Sequence, residues 1–474
     1  MILAVDIGTS TFKAAVFDYG GTCRARTAIP MPVSGEEMDG GVWLTAFETA
    51  ALRLGKSGNL RGLEALVICG NGPTLVPVTG VPQIGEAGIS LPAGRARLWL
   101  DRRACRESEK VSELAGAYVD PGFFVPKALW IKNREGELYE KTRYFLAGPE
   151  YLVYALTGEA RTVFPSAGFE RWYWDRALLE GLGLDCAKFP PFTAPGELIG
   201  TVAAAARFGL PQGLKVFAGG PDFFMSILGT GVTRPEQACD RSGTSEGINL
   251  CTGERITDPR LMSYGHPVKP FWNLSGIISS SGRAAAWARE LLGMENLPYE
   301  SFFDLAAAAP PGAGGVLFLP YLAGERAPHW DLHARGVFQG LNLATGRAEL
   351  ARAVVEGICF AIRDVITVME DCGAPVRELR ITGGPAASPF LNQLKANITR
   401  RPALLPAQRD AELLGLAAVG AASLGKYSSP EEASASLVKI EKTFNPREDP
   451  RYEEQFGMYR ELYQALKPQF SARY

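Results

Sequence analysis

The sequence predicts an α/β chain built from two related halves. Three observations carry this. Strand-like apolar runs alternate with helix-period segments along the chain; 46% of residues are hydrophobic against 21% charged; and one local design, an acidic residue on a strand before a Gly-Thr-Ser turn, occurs in each half, at Asp6–Ser10 and at Asp240–Ser245. That balance is wrong for disorder, which needs low hydrophobicity and high net charge. A length of 474 residues allows about three domains, or two larger ones, on a prior of roughly 150 residues each.

In order, residues 1–30 read as an antiparallel meander, with ILAVD and KAAVFD as strands around IGTSTF. LEALVICG (63–70) is a strand leading into the loop NGPT, and RLWLDRRACRESEKVSELA (97–115) is a short strand becoming a helix. Residues 127–158 read as mostly helical, with interruptions near Gly136 and Pro149. The aromatic FERWYWD (169–175) suits a lid or a surface loop. LKVFAGGPDFFMSILGTG (214–231) reads as strand, glycine turn and a helix from about Asp222. DRSGTSEGINLCTG (240–253) is a strand–turn–strand unit. RAELARAVVEGICFAIRDVITVMEDCG (347–373) has apolar residues at helical spacing, ends at glycine and feeds the strand RELRITGG (377–384). The last 40 or so residues read as polar helical packing.

Charge and composition exclude several functions. Lys and Arg number 49 against 51 Asp and Glu, so there is no basic excess for nucleic acid. No apolar run reaches the roughly 18 residues that would span a membrane. The eight Cys are scattered and contain no CxxC pair, and the chain opens on a strand pattern without a basic leader. A reducing, cytoplasmic setting is expected. Three His (His266, His329, His333) limit mechanisms built on imidazole. Glycine is in excess, 53 of 474 residues against a usual value of about 7%, and backbone that must approach phosphate accounts for part of the surplus.

The motifs have plain readings as well as chemical ones. DIGTS can bring backbone N–H groups and hydroxyls to a phosphate beside a carboxylate able to hold Mg²⁺ through water, or it is an ordinary hairpin turn. GTSEG (243–247) offers the same chemistry again. It also matches the G-x-S-x-G elbow of serine hydrolases with Ser245 as nucleophile, although an elbow runs from strand into helix and INLCTG reads as strand. GKS (55–57) has Ala50 where a P-loop needs glycine, and reads as a helix end. Asp222 in GGPD is either a helix cap or a general base taking a proton from an attacking hydroxyl. TGGPAASPF (382–390), with Ser388 before a helix, is a tight connection or a flat seat for a purine.

Taken together these segments resemble the FGGY family of carbohydrate kinases over nearly the whole chain. LPYLAGERAPHWDLHARGVFQGL (319–341) resembles its C-terminal signature and FVPKALWIKN (124–133) its N-terminal one, with DIGTS, GGPD, SGTS and TGGPAASP in the family's order. The resemblance implies two ribonuclease-H/actin-like domains flanking a deep catalytic cleft. Residues 1–242 would carry the sugar site, phosphate loop and catalytic aspartate, and 243–474 the nucleotide site. ATP and Mg²⁺ are the implied cofactors and a small-molecule sugar the partner. Related kinases often form homodimers, and neither nucleic acid nor membrane is implied. Asp6 would organise Mg²⁺; Gly8, Thr9 and Ser10 would face the transferred phosphoryl group; Gly243, Thr244 and Ser245 would hold the other phosphates; Gly383, Gly384 and Ser388 would line the adenine side; Asp222 would activate the sugar hydroxyl. The opposing turns would meet the phosphates on cleft closure.

Sugar selection departs from the family pattern. Xylulokinase-like members carry Gln-Met-His where this chain has Asn71-Gly72-Pro73, while Trp99 and Asp101 remain as sugar contacts beside Asn71. Phe223 and Phe224 follow the base where small residues are usual, so they narrow the pocket or bury in the core. A ketopentose such as xylulose is the first expectation, with another ketose, a polyol or a modified carbohydrate as alternatives. The Arg-Glu pair of glycerol kinase-like members is absent. An actin-like ATPase or sensor, and the Ser245 hydrolase, are the competing classes.

Overall fold

The computed structural model describes residues 1–32, 35–56, 58, 60–70, 72–85 and 88–471. The chain forms two compact units, Met1–Gly229 with Glu412–Leu437, and Thr230–Ala411 with Val438–Tyr474.

The first unit is built on a six-stranded sheet. Strands β1 (Ile2–Ile7), β2 (Thr11–Phe17) and β3 (Cys23–Pro30) form the antiparallel meander. Strand β4 (Ala65–Gly70) pairs parallel with β1, β6 (Lys215–Pro221) pairs parallel with β4, and β5 (Leu198–Thr201) closes the edge antiparallel to β6. Every residue of β1 and β4 is buried, as befits central strands covered on both faces. Helices α1 (Gly41–Gly55) and α3 (Gly148–Thr157) cover the sheet, and Trp43, Phe47, Tyr151 and Leu152 join its core. α1 ends at Gly55, where a helix end was expected; Ser57 of the GKS segment lies outside the described residues.

The region read as helical from 127 to 158 is divided. Helix α2 (Phe124–Arg134) and a short helix, Gly136–Lys141, are followed by a strand, Tyr144–Ala147, that pairs antiparallel with Leu75–Val78 before α3 begins. YFLA is a short apolar run flanked by helices, and its strand state depends on a distant partner that local pattern does not contain. The aromatic segment 169–175 contains one 3₁₀ turn, Glu170–Trp172, and packs into a cluster with Phe123, Phe124, Phe164, Phe189 and Phe192.

The second unit repeats the plan. β7 (Gln237–Ser242), β8 (Glu246–Thr252) and β10 (Trp272–Ile278) form a meander, with β9 (Met262–Gly265) at its edge. β11 (Glu378–Gly383) pairs parallel with β7, β12 (Ala403–Pro406) pairs parallel with β11, and β13 (Ile440–Phe444) closes the far edge antiparallel to β12. Meander, then two parallel strands beside its first strand, is the same order in both units, which turns the repeated Gly-Thr-Ser design into a repeated topology. Helices α5 (Gly282–Leu291), α6 (Arg347–Asp371), α7 (Pro389–Thr399) and α10 (Pro450–Ser471) belong to this unit, and α6, α7 and α10 line one continuous apolar core.

The division between the units differs from the expected 242/243 boundary in two ways. β7 pairs with β8 and β11, so residues 237–242 belong to the second sheet, and the second unit begins at Thr230. Helices α8 (Ala411–Ser423) and α9 (Pro430–Leu437) return to the first unit. α8 meets helix α4 (Asp222–Gly229) so closely that a Cβ on Gly415 would stand 2.0 Å from the Met225 carbonyl oxygen. Only glycine permits that approach.

One buried acid gives this fold a pH dependence. Glu150, on α3, accepts a hydrogen bond from the Val163 N–H at 3.1 Å, while its Oε2 has no partner among the described residues. Burial pushes its carboxyl from 4.5 up to about 7. The folded state therefore holds the proton over a window where the unfolded chain has released it, and stability falls as pH rises from about 4.5 through 7. Glu150→Gln keeps the acceptor and removes the ionisation. We expect it to melt level with the parent at pH 5 and higher at pH 8, by up to roughly 3 kcal/mol; equal melting at pH 8 would refute the assignment.

Candidate active site

In the first unit the predicted residues gather at the carboxyl ends of the parallel strands β1, β4 and β6. Ligands bind at this edge of a parallel sheet. Asp6 is 4% exposed and stands across from Lys13 on β2 and Cys69 on β4 in the register. The Cys69 Sγ donates to Asp6 Oδ1 at 3.6 Å. Gly8 N–H donates to the Thr11 carbonyl at 3.1 Å, closing the turn that presents Thr9 and Ser10. Cys69 pairs with Gly220 on β6 across a register shift between Ala218 and Gly220. Two residues on, Asp222 opens α4, its Oδ1 accepting the Phe223 N–H at 2.6 Å. Burial, then the charges of Asp6, Asp222 and Glu412, push the Cys69 thiol well above its usual range. Asp6 at the end of β1 and Asp222 just past β6 thus flank the Cys69 strand end, and the Glu412 charge, from the start of α8, also acts on that thiol. Sequence reasoning missed Glu412, whose position at the start of α8 carried no motif. It also passed over Lys13, which the β1–β2 register sets opposite Asp6.

The sugar-side residues fall beside this turn. Trp99, 39% exposed, donates its Nε1–H to Thr9 Oγ1 at 3.0 Å, so a predicted sugar contact and a predicted phosphate contact touch directly. Asp101 is buried and accepts from Arg103 at N, Nε and Nη2, at 2.7–3.0 Å. Burial raises the Asp101 carboxyl, but these bonds outweigh it and hold the group below its ordinary value. Lys127, from the N-terminal signature on α2, is buried and donates to the carbonyls of Pro73 (2.8 Å) and Leu98 (2.6 Å), fastening the loop after β4 to the Trp99 segment. Asn71 lies outside the described residues. Phe224 is buried in the aromatic core; Phe223 is half-buried and stacks over Phe169, with centroids 6.2 Å apart.

In the second unit, Gly243, Thr244 and Ser245 form the β7–β8 turn, and the start of α5 docks beneath it. The N–H groups of Gly282 and Arg283 donate to the carbonyls of Gly243 (3.0 Å) and Thr244 (3.1 Å). This turn runs from strand into strand, which excludes the nucleophile-elbow reading of Ser245. Gly383 ends β11 opposite Ser242. Gly384 has open space where a Cβ would stand. Ser388 caps α7, its Oγ accepting the Leu391 N–H at 3.3 Å. The C-terminal signature reaches the same region through Glu325, which is buried and accepts from the N–H groups of Ser279 (2.6 Å) and Arg326 (2.8 Å). Burial pushes the Glu325 carboxyl up to about 7.

Among the described residues no group of three or more His, Cys, Asp or Glu is arranged to hold a metal ion. Mg²⁺ commonly takes one or two carboxylates together with waters and substrate phosphates, so a nucleotide-borne Mg²⁺ fits the Asp6 region and a dedicated protein cage does not. No helix among the described residues is long and apolar enough to cross a membrane.

Paired units of meander-plus-parallel topology, each with a Gly-Thr-Ser turn beside an acidic strand, define a protein of the ribonuclease-H/actin-like class. Residues 1–229 match the N-terminal domain of the FGGY family of carbohydrate kinases and residues 241–424 match its C-terminal domain. The chain belongs to this family and is a carbohydrate kinase. It is similar to a xylulose kinase from Klebsiella pneumoniae, 30% identical over 99% of this chain and 100% of the relative. A glycerol kinase from Trichlorobacter lovleyi is 28% identical over 94% of each chain. The crystal structure of xylulose kinase from Rhodospirillum rubrum superposes with a TM-score of 0.82 at 25% identity, covering 99% of both chains.

Proposed function

We propose that this kinase transfers the terminal phosphoryl group of ATP to a hydroxyl of a ketopentose such as xylulose, with Asp222 as general base. The observation that carries the reading is the gathering of Asp6 and Asp222 at neighbouring parallel strand ends around Cys69. Phosphoryl transfer passes through a loose transition state, so catalysis rests on positioning and charge neutralisation. Asp222 takes the proton as the sugar oxygen attacks phosphorus, and ADP leaves. Asp6 would hold Mg²⁺ through water, and that ion, when bound, neutralises charge between the nucleotide phosphates. Lys13 adds a cation across from Asp6. Thr9 and Ser10 offer donors to the moving phosphoryl group, while the 243–245 turn serves the remaining phosphates and Gly383–Ser388 the adenine side. Trp99 offers the sugar an apolar face beside Thr9.

Full-length similarity to xylulose kinase supports the ketopentose, and the missing Arg-Glu pair in the loop after β4 weighs against glycerol. Eight free cysteines fit a reducing, cytoplasmic compartment. A homodimer would elute in gel filtration near twice the 51.1 kDa chain mass. The test of substrate is an ATP-consumption screen against pentuloses, hexuloses, polyols and aldonates. Xylulose is expected to give the highest kcat/KM. Faster turnover of a hexulose, polyol or aldonate would move the substrate, and equal ADP release without any sugar would favour an ATPase or sensor.

A further inference from the structure

Beneath the 243–245 turn lies a charge cluster that the reaction does not call for. Lys395, on α7, is 1% exposed. Its Nζ donates to Asp240 Oδ2 at 2.6 Å, to Ser242 Oγ at 2.7 Å and to Glu246 Oε1. Asp240 is 0% exposed and Glu246 1%. Ser242 Oγ also reaches Glu246 Oε1, at 2.7 Å, and Ser281 donates to Glu246 Oε2. Asp240 Oδ1 has no partner among the described residues.

A buried ion cluster is poor evidence for stability, because desolvation offsets the attraction; its best-attested use is to select one geometry. Here the geometry is specific. Ser242 and Glu246 are the residues on either side of Gly243-Thr244-Ser245, and they face each other in the β7–β8 register. Ser281 immediately precedes the α5 start whose N–H groups hold the turn's carbonyls. Lys395 stands two turns into the helix that Ser388 caps. One ammonium therefore joins both flanks of the phosphate-side turn to the helix of the adenine-side segment. Burial and the Glu246 charge push the Asp240 carboxyl well above its ordinary range. Burial also raises Glu246, but the Lys395 ammonium outweighs it and holds that carboxyl low. Lys395 thus engages two buried carboxylates at once, Asp240 from β7 and Glu246 from β8.

We propose that Lys395, anchored by Glu246 and Asp240, is a positioning residue that sets the Gly243–Ser245 turn against the Gly383–Ser388 segment for nucleotide binding. This rests on the reading of both segments as the nucleotide site. It touches neither sugar nor the transferred group, so its effect belongs to nucleotide affinity alone.

The test uses the full-length chain. ADP affinity by calorimetry in the presence of Mg²⁺ is compared for the parent, Lys395→Met and Lys395→Arg, with melting temperature and the KM for ATP and for sugar measured alongside. We expect Lys395→Met to weaken ADP at least tenfold and to raise the ATP KM correspondingly, while the sugar KM stays within about twofold. Lys395→Arg restores the ammonium's role in part and recovers most of the affinity. Unchanged ADP affinity in folded Lys395→Met overturns the proposal. So does a parallel rise in both KM values, or failure of both variants to fold, since either makes the cluster a stability element. A parent that binds no ADP would instead remove the nucleotide-site reading itself.

Discussion

Asp222→Asn is expected to lower kcat by about 10²–10⁴-fold, the usual contribution of a positioned general base, while ADP affinity stays within about twofold of the parent. That loss corresponds to roughly 3–5 kcal/mol in the barrier at about 1.4 kcal/mol per tenfold. Several features make the variant informative. Asn retains an oxygen to accept the Phe223 N–H, so the start of α4 keeps its hydrogen bond. The substitution also removes one of the three carboxylate charges that act on Cys69. A fall in turnover without a fall in melting temperature then reports on proton transfer. Steady-state kinetics with the best sugar from the screen, together with calorimetric ADP binding, decides it. Turnover within tenfold of the parent would remove Asp222 from the role of base.

Which parts of this site were legible in sequence follows from where the information lies. The Asp6 turn, the strand and helix at Asp222, the hairpin at Gly243–Ser245 and the cap at Ser388 are each encoded within ten or so consecutive residues and form as read, except that Gly219 and Gly220 lie within the strand, at a register shift, and make no turn before the helix. What was missed depends on partners far away in the chain. Tyr144–Ala147 is a strand because Leu75–Val78 lies alongside it, and Ile440–Phe444, inside a segment read as helical, is one because Ala403–Pro406 does. The Glu412 charge acts on Cys69, alongside those of Asp6 and Asp222, only because α8 returns to the first unit. Lys395 finds Asp240 and Glu246 across some 150 residues. No local period marks either residue: Lys395 looks like an ordinary polar position on its helix, and Glu412 like a first-turn acid on the apolar helix AELLGLAAVGAAS. The glycines occupy a middle ground. Their number signalled close backbone approach, and Gly415 against Met225 shows that part of it serves helix crossing instead of phosphate.

Gly383→Ala is the second variant with a large expected effect, and it acts through the backbone. Gly383 has φ 95° and ψ 175°, a combination essentially reserved for glycine and costing of order 1–3 kcal/mol for other residues. A Cβ there would also stand 1.9 Å from the Ser242 carbonyl oxygen and 2.9 Å from its carbon. The obstacle is strand backbone, which cannot rotate away as a side chain can, so β7 and β11 must part where Ser242 pairs with Gly383. Overpacking of this kind adds about 1–3 kcal/mol. The two terms together predict a loss of about 3 kcal/mol or more in the second unit, read as a lowered melting temperature. The displaced residue, Ser242, leads directly into Gly243 and Thr244, so the ATP KM should rise at least tenfold even in the folded fraction. Gly384→Ala is the matching control for stability. A Cβ at Gly384 meets nothing within 4 Å, so its melting temperature should stay with the parent's. Any rise in its ATP KM then comes from a methyl group intruding on the nucleotide's side of the segment. If Gly383→Ala melts with the parent, the strand ends yield more easily than their geometry implies, and the close contact at Ser242 is not what fixes the turn.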